Sequence, residues 1–284
     1  MPEFAIHTIC VCGAGTMGSG IAQVAATAGY NTVLFDVNEG MLAKGKATIE
    51  AALTRLAGKG KITPAGKQLA LHHLSFTANI DDCKADLIIE AIVEDKDAKT
   101  ALFNKLASVN NTQTIFATNT SSLSVKHIAE ETEGPQRVVG VHFFNPAPVM
   151  KLVEVVKTPF SSEAVISSVM NVAQQMGKVA VVCSDSPGFI VNRVARNYYL
   201  EALRMVELGL ADIETIDAVM EAAGFKMGPF RLMDLIGIDV NYSVSNIVWQ
   251  ALGKPARLTP SVLQKQKVEA GELGKKTEKG FYVG

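Results

Sequence analysis

The stretch HTICVCGAGTMGSGIAQVAATAGYNTVLFD, His7 to Asp36, carries more fold information than any other part of the chain. His7–Cys12 reads as a buried strand, Thr16–Ala28 as a helix ended by Gly29, and Asn31–Asp36 as a second strand that stops on an acid. Between the first strand and the helix sits Gly13-Ala14-Gly15-Thr16-Met17-Gly18. A G-x-G-x-x-G string alone is a weak signal. Here it follows a strand, opens a helix, and is followed about 20 residues on by a carboxylate. The three glycines have separate expected roles. Gly13 allows the tight turn, Gly15 lets backbone amides approach a pyrophosphate, and Gly18 lets the helix pack close to the sheet. The helix N-terminus supplies unpaired N–H groups and positive partial charge. Asp36 can accept hydrogen bonds from ribose hydroxyls and would repel a 2′-phosphate, so the expected cofactor is NAD (or NADH) in preference to NADP. The alternative is a glycine-rich turn followed by a helix-capping aspartate.

Outward from this unit the alternation continues. Asn38 to about Leu56 has Leu42, Ile49, Leu53 and Leu56 at helical spacing. Residues 85–94 read as a strand, 97–109 as a helix, and 114–120, 137–144 and 151–156 as strands; a helix over 163–177 and a strand over 179–185 follow. Such alternation predicts an α/β, doubly wound, mainly parallel sheet covered on both faces. Past Ser186, Pro187 and Gly188 the pattern turns helical, over 192–208, 212–224, 232–252 and 258–271, with no strand signal until the last residues. The expected organisation is a Rossmann-type nucleotide-binding domain over 1–185 and a smaller all-α domain over 186–284.

The 284 residues carry a net charge of −1 and are 48% hydrophobic, which asks for neither nucleic acid nor a membrane surface as partner. No signal peptide and no membrane-spanning run is read, and the expected compartment is the cytoplasm. Cys10, Cys12, Cys83 and Cys183 have no metal-like spacing and read as small buried residues. Cys10 and Cys12, two apart in a strand, are expected on opposite faces. No metal site is expected.

Two further groups stand out. Lys44, Lys46, Arg55, Lys59, Lys61 and Lys67 follow the second strand with few acids among them. They are either a solvated face or an anchor for a phosphorylated substrate tail. In Val141–Thr158, VHFFNPAPVMKLVEVVKT, a histidine and a glutamate sit in strands otherwise made for a core. A secondary alcohol that loses a hydride needs a base for its proton, and imidazole suits that role near neutrality. The base needs a partner that fixes its tautomer. His142 and Glu154 lie at neighbouring points of two strands joined by the Asn145–Pro148 turn, and a carboxylate unpaired among valines would be costly. Phe143 and Phe144 are expected to keep the pocket dry. Ser121 and Ser122 could simply cap a helix over 124–131, Asn192 could be a solvated helix-start residue, and Lys276 a surface lysine.

Taken together, GAGTMG, EAIVE (90–94), TNTSSL (118–123), HFFNP (142–146), KLVEVV (151–156), DSPGFIVNR (185–193), GPFRLMDLIG (228–237) and GKKTEKGFY (274–282) resemble the L-3-hydroxyacyl-CoA dehydrogenases over essentially the whole chain, with a length similar to the bacterial 3-hydroxybutyryl-CoA members. The resemblance implies an NAD-dependent oxidoreductase of fatty-acid or butyrate metabolism that interconverts (S)-3-hydroxyacyl-CoA and 3-ketoacyl-CoA, with 3-hydroxybutyryl-CoA or acetoacetyl-CoA as substrate. It implies His142 as general acid/base, Glu154 as its orienting partner, and Ser121 and Asn192 at the reacting oxygen. It implies Asp36, Glu94, Lys99, Ser121, Asn145 and Lys276 on the cofactor, Asn145 also beside the substrate, and Arg55 and Lys59 on the coenzyme A phosphates. A homodimer through the apolar helical domain is expected, from residues such as Tyr198, Tyr199, Met205, Leu232, Leu235, Ile236, Val248 and Trp249. The competing readings are a dehydrogenase of a hydroxyacid or sugar acid without coenzyme A, and a non-catalytic NAD-binding structural protein.

Overall fold

The computed structural model describes residues 4–282. The chain divides into two compact units, with the division between Asp185 and Ser186.

In the first unit, β1 (Thr8–Cys12), α1 (Thr16–Thr27) and β2 (Asn31–Phe35) form the expected strand–helix–strand. They are followed by α2 (Glu39–Gly58), α3 (Pro64–His72), β3 (Leu74–Thr77), β4 (Leu87–Glu90), α4 (Lys96–Val109), β5 (Ile115–Thr118) and α5 (Val125–Glu130). The unit is completed by β6 (Val138–Phe143), β7 (Leu152–Lys157), α6 (Glu163–Gln175) and β8 (Val179–Ser184). Among the described residues the eight strands make one sheet in the order β3-β2-β1-β4-β5-β6-β7-β8. Only the β6–β7 pair is antiparallel; β1, β2, β3, β4, β5 and β6 run parallel, as do β7 and β8. Chain order reverses direction across the sheet between β1 and β4. Connections leaving those two strands diverge there and open a crevice beyond their carboxyl ends.

The alternation of side chains assigns the two faces. Ile9, Val11, Leu34, Leu87, Ile89, Ile115, Val139, Val141, Phe143, Val153 and Val155 join Ile21 and Ala25 of α1, Ile49 and Leu53 of α2, and Val165 and Val169 of α6 in one core. Each such buried aliphatic or aromatic side chain contributes roughly 1.5–3 kcal/mol relative to exposure. The intervening residues Glu90, Thr118, His142 and Glu154 therefore share the opposite face, where α4 lies and Phe103 meets Phe116 at 5.2 Å between ring centroids.

Several local expectations need correction. Cys10 and Cys12 do not face opposite ways: their sulfurs are 3.9 Å apart. A strand has period two, so residues i and i+2 share a face. The same rule separates the two phenylalanines. Phe143 is buried in the core on the far face, and only Phe144 reaches His142, at 4.4 Å between ring centroids. The strand read over 85–94 ends at Glu90, which leaves Glu94 in the following connection. The segment holding His72 and His73, between the second helix and the third strand predicted from sequence, is helix α3, capped by Thr63 with Pro64 in its first turn, and runs into edge strand β3. Four half-exposed residues, LSFT, offer too little alternation to signal a strand.

The second unit is helical: α7 (Val191–Glu207), α8 (Ile213–Ala222), α9 (Pro229–Ile236), α10 (Ile238–Ala251) and α11 (Val262–Glu269). The helix read over 232–252 is two helices. Gly237, at φ +105, breaks the chain between them, a conformation an L side chain rarely adopts. The unit has its own core, with Tyr199, Leu203, Phe230, Met233, Val248 and Leu258 at its centre. Of the residues expected to drive association, Tyr199 and Val248 are in this core, Tyr198, Met205, Leu232 and Trp249 pack against it, and Leu235 and Ile236 are exposed. The last described residues fold back onto the unit. Backbone N–H groups of Phe281 and Tyr282 donate to the Asp234 carboxylate at 2.9 Å each, and Gly274 makes an isolated bridge to Lys279.

Candidate active site

The crevice at the carboxyl ends of β1 and β4 begins with the glycine loop. Gly13 adopts φ +105 and its N–H donates to Phe35 O at 2.7 Å. A Cβ on Gly18 would lie 1.7 Å from Gly13 O, so this glycine sets how closely α1 approaches the turn. Gly15 is different. It has an ordinary φ of −69, and a Cβ there would meet no atom of the described residues within 4 Å. Nothing within the fold demands glycine at that position; the open space beside the backbone is what a bound pyrophosphate would use. Gly15 is also the N-cap of α1, makes no side-chain cap, and the first turn of the helix carries no acid. Its leading N–H groups are thus left for an anion. Asp36 follows β2 and accepts from Ala14 N at 2.8 Å and Asn38 N at 2.9 Å, tying the acid to the glycine loop. The nicotinamide dinucleotide expected from sequence fits these residues.

Across the crevice a charged cluster holds the connections that follow β4 and β5. Lys99 of α4 is 1% exposed and Glu90 at the end of β4 is 0% exposed, with Nζ 2.6 Å from Oε1. The same ammonium lies 3.2 Å from Oε2 of Glu94. Glu90 also accepts from Ile92 N at 2.7 Å and from the Thr118 hydroxyl at 2.7 Å. Oε1 of Glu94 accepts from the Thr120 hydroxyl at 2.5 Å, Ser121 N at 3.0 Å and the Ser122 hydroxyl at 3.0 Å. Burial pushes the Glu90 carboxyl up despite Lys99 and its hydrogen bonds. Burial works the same way on Glu94, but Lys99, Thr120 and Ser121 outweigh it and hold that carboxyl below its ordinary range. Ser121 therefore belongs to a loop fixed by Glu94. The cap of α5 is Ser124, whose Oγ accepts from His127 N, and neither Ser121 nor Ser122 takes that role.

Two strands further on, the antiparallel register sets His142 directly opposite Glu154. Side chains of such a pair project from the same face. Nδ1 of His142 lies 2.8 Å from Oε2 of Glu154, with the side chains 7% and 0% exposed. A carboxylate accepts only, so the proton sits on Nδ1 and the lone pair on Nε2, the tautomer a base needs. The end of β6 is steadied from β5: Phe143 N donates to Asn119 Oδ1 at 2.8 Å. The exposed turn bearing Asn145 is steadied by Lys178, which donates to Ala147 O at 2.5 Å and Met150 O at 2.9 Å.

The remaining candidates are spread more widely. Arg55 lies in the last turn of α2 and Lys59 caps that helix; both are exposed. Beside them an open groove of about 610 Å³ runs between α2 and α3, lined by Thr54, Gly58, Pro64, Lys67 and their neighbours. Asn192 and Lys276 belong to the second unit. Asn192 is in the first turn of α7, half-buried, and its carbonyl accepts from Arg196 Nε at 3.0 Å. Burial pushes the Arg196 guanidinium down to about 10. Lys276 pairs with Asp239 at 2.6 Å. Among the described residues no group of three or more His, Cys, Asp or Glu side chains could hold a metal ion.

No local pattern in the sequence singles out Thr118, Asn119, Thr120 or Lys178. For Glu90 the signal was available: an acid closing the apolar run LIIE needs a partner for the same reason as Glu154.

Two family models cover the chain, the 3-hydroxyacyl-CoA dehydrogenase NAD binding domain over residues 8–186 and the 3-hydroxyacyl-CoA dehydrogenase C-terminal domain over residues 188–284. The chain is 45% identical to the 3-hydroxyadipyl-CoA dehydrogenase of Escherichia coli K12, covering 98% of this chain and 59% of the relative. It is 41% identical to a 3-hydroxybutyryl-CoA dehydrogenase of Mycobacterium tuberculosis, covering 98% and 99%. The crystal structure of a 3-hydroxybutyryl-CoA dehydrogenase from Escherichia coli superposes with a TM-score of 0.96 at 44% identity, covering 98% of this chain and 60% of that one.

Proposed function

The chain belongs to the 3-hydroxyacyl-CoA dehydrogenase family, and from that premise we propose that it interconverts (S)-3-hydroxyacyl-CoA and 3-ketoacyl-CoA, with 3-hydroxybutyryl-CoA and acetoacetyl-CoA as the substrate pair and NAD as cofactor. The observation that carries the chemistry is the buried His142–Glu154 pair at 2.8 Å. His142 takes the hydroxyl proton through Nε2 as the alcohol is oxidised, and Glu154 holds Nδ1–H and stabilises the imidazolium that results. The bound nicotinamide supplies the hydride acceptor. In the reverse direction the imidazolium returns the proton to the ketone oxygen. Ser121 and Asn192 are assigned to that oxygen, and Asn145 to the substrate and nicotinamide end. The glycine loop Gly13–Gly18 receives the pyrophosphate at the amino end of α1. Glu94, Ser121 and Lys276 complete the cofactor set, with Lys99, buried behind Glu94, acting on it through that carboxylate.

NAD is favoured over NADP because Asp36 is a carboxylate at the end of β2, where a 2′-phosphate would add a second negative charge within hydrogen-bonding range. Coenzyme A is favoured because Lys67 lines the groove between α2 and α3, and Arg55 and Lys59 stand exposed at the carboxyl end of α2. Residues 1–185 are assigned to the nucleotide and 186–284 to substrate binding and dimerisation, in a cytoplasmic enzyme of fatty-acid or butyrate metabolism.

Absorbance at 340 nm with acetoacetyl-CoA tests the reading. We expect rapid oxidation of NADH, at least about 10-fold slower turnover per unit concentration with NADPH, and a similar or larger loss when free acetoacetate replaces the thioester. Equal kcat/KM on the free acid would favour a dehydrogenase of simple hydroxyacids. No turnover with any acyl-CoA would leave a binding protein.

A further inference from the structure

We propose that Glu90 is a positioning residue, and that the buried Glu90–Lys99 pair exists to hold the Glu94 carboxylate and, through it, the Thr120–Ser122 loop in register with the reaction centre. The inference rests on the assignment of Ser121 to the reacting oxygen. Its basis is how the hydrogen bonds are divided. Glu94 uses its two oxygens differently: Oε2 faces Lys99 at 3.2 Å, while Oε1 collects Thr120, Ser121 and Ser122. The orientation of that carboxylate is therefore set by where the ammonium stands. The ammonium is in turn set by Glu90, its closer partner at 2.6 Å. Glu90 has no freedom of its own, since Ile92 N and the Thr118 hydroxyl occupy both of its oxygens and it is 0% exposed. With Lys99 only 1% exposed, its contact with anything outside the fold runs through Glu94.

A buried ion pair is a poor way to gain stability, because desolvation of both charges offsets their attraction, and apolar replacements of similar volume are often as stable. Packing alone would be served as well by an uncharged pair at 90 and 99. What an uncharged pair cannot do is fix a third group by charge. Making Glu90 neutral would let Lys99 close on Glu94 and turn Oε1 away from the loop.

Three variants separate positioning from mere stability: Glu90→Gln, Lys99→Met, and the two combined. Thermal unfolding without cofactor, NADH affinity by fluorescence titration, and kcat and KM with acetoacetyl-CoA are measured for each. Lys99→Met should be the least stable, because it leaves an unpaired buried carboxylate. The double variant should recover most of the lost melting temperature, yet bind NADH more weakly and turn over about 10-fold more slowly than the parent, as a misplacement of under 1 Å would cause. Recovery of NADH affinity and kcat in step with stability would overturn the proposal, as would a folded Glu90→Gln protein with parental kinetics. An unsubstituted protein that fails to reduce acetoacetyl-CoA refutes the proposed function instead, and the NADH titrations still decide whether Glu90 positions the loop.

Discussion

Glu154 and Glu90 illustrate one rule with two outcomes. Each is an acid at 0% exposure in a strand of apolar residues, and each would cost several kcal/mol of desolvation without a partner. Glu154 is answered by an imidazole, which leaves a polar ring whose second nitrogen can exchange a proton. Glu90 is answered by an ammonium, which leaves a fixed charge. His142→Gln should lower kcat by more than about 10²-fold while NADH affinity stays nearly constant, because the glutamine can fill the space but cannot carry the proton. Steady-state kinetics beside an NADH titration checks this; equal losses in both would remove His142 from the chemistry. The histidine and its acid were legible in the sequence because burial of a titratable group has to be explained, and the strand spacing allowed them to meet. Their geometry was not legible, since it depends on the register of the β6–β7 pair. Lys99 shows the limit in the other direction. The motif resemblance associated it with the cofactor, but only three-dimensional placement shows its ammonium between two carboxylates of the fold, Glu90 and Glu94.

The glycine loop shows how one element combines two kinds of constraint. Gly18 is required by the fold: an added methyl would lie on Gly13 O, and relieving that overlap should cost at least about 2 kcal/mol. Gly15 is required only by what binds, because an added methyl meets open space. Gly18→Ala should therefore lower the melting temperature by several degrees, whereas Gly15→Ala should melt like the parent and lose NADH affinity by about 10-fold or more, through lost backbone approach. Calorimetry without cofactor and a fluorescence titration distinguish the two; an unchanged affinity in Gly15→Ala would remove the pyrophosphate from this turn. Helices and long strands of this unit were readable because apolar periodicity is a local property. Where expectation and structure part, the deciding rule was often local too. Period-two alternation pairs Cys10 with Cys12 and separates Phe143 from Phe144, and a threonine–proline start marks α3. The break at Gly237 belongs with them, since a glycine inside an apolar helical run is a candidate stop.

The helical unit over 186–282 leaves Leu208, Leu210, Val219, Phe225, Leu235, Ile236, Val240 and Val262 exposed, several by more than half. Apolar surface on that scale favours association, and a two-fold pairing of this unit with its copy is the expected form. Light scattering should give twice the chain mass, and Leu208→Lys with Leu210→Lys should tip the population toward single chains; a single-chain mass for the parent would remove the dimer. No helix among the described residues is long and apolar enough to cross a membrane. By itself the sequence determined the alternating sheet, the helical second half, the nucleotide turn and the identities of the titratable groups, because these follow from interactions between near neighbours in the chain. The tertiary structure alone decided that His142 and Glu154 share 2.8 Å, that Glu94 is shared between Lys99 and the Ser121 loop, and that a short strand, β3, completes the sheet. Those outcomes depend on strand order, register and burial, and each joins residues that no local pattern connects.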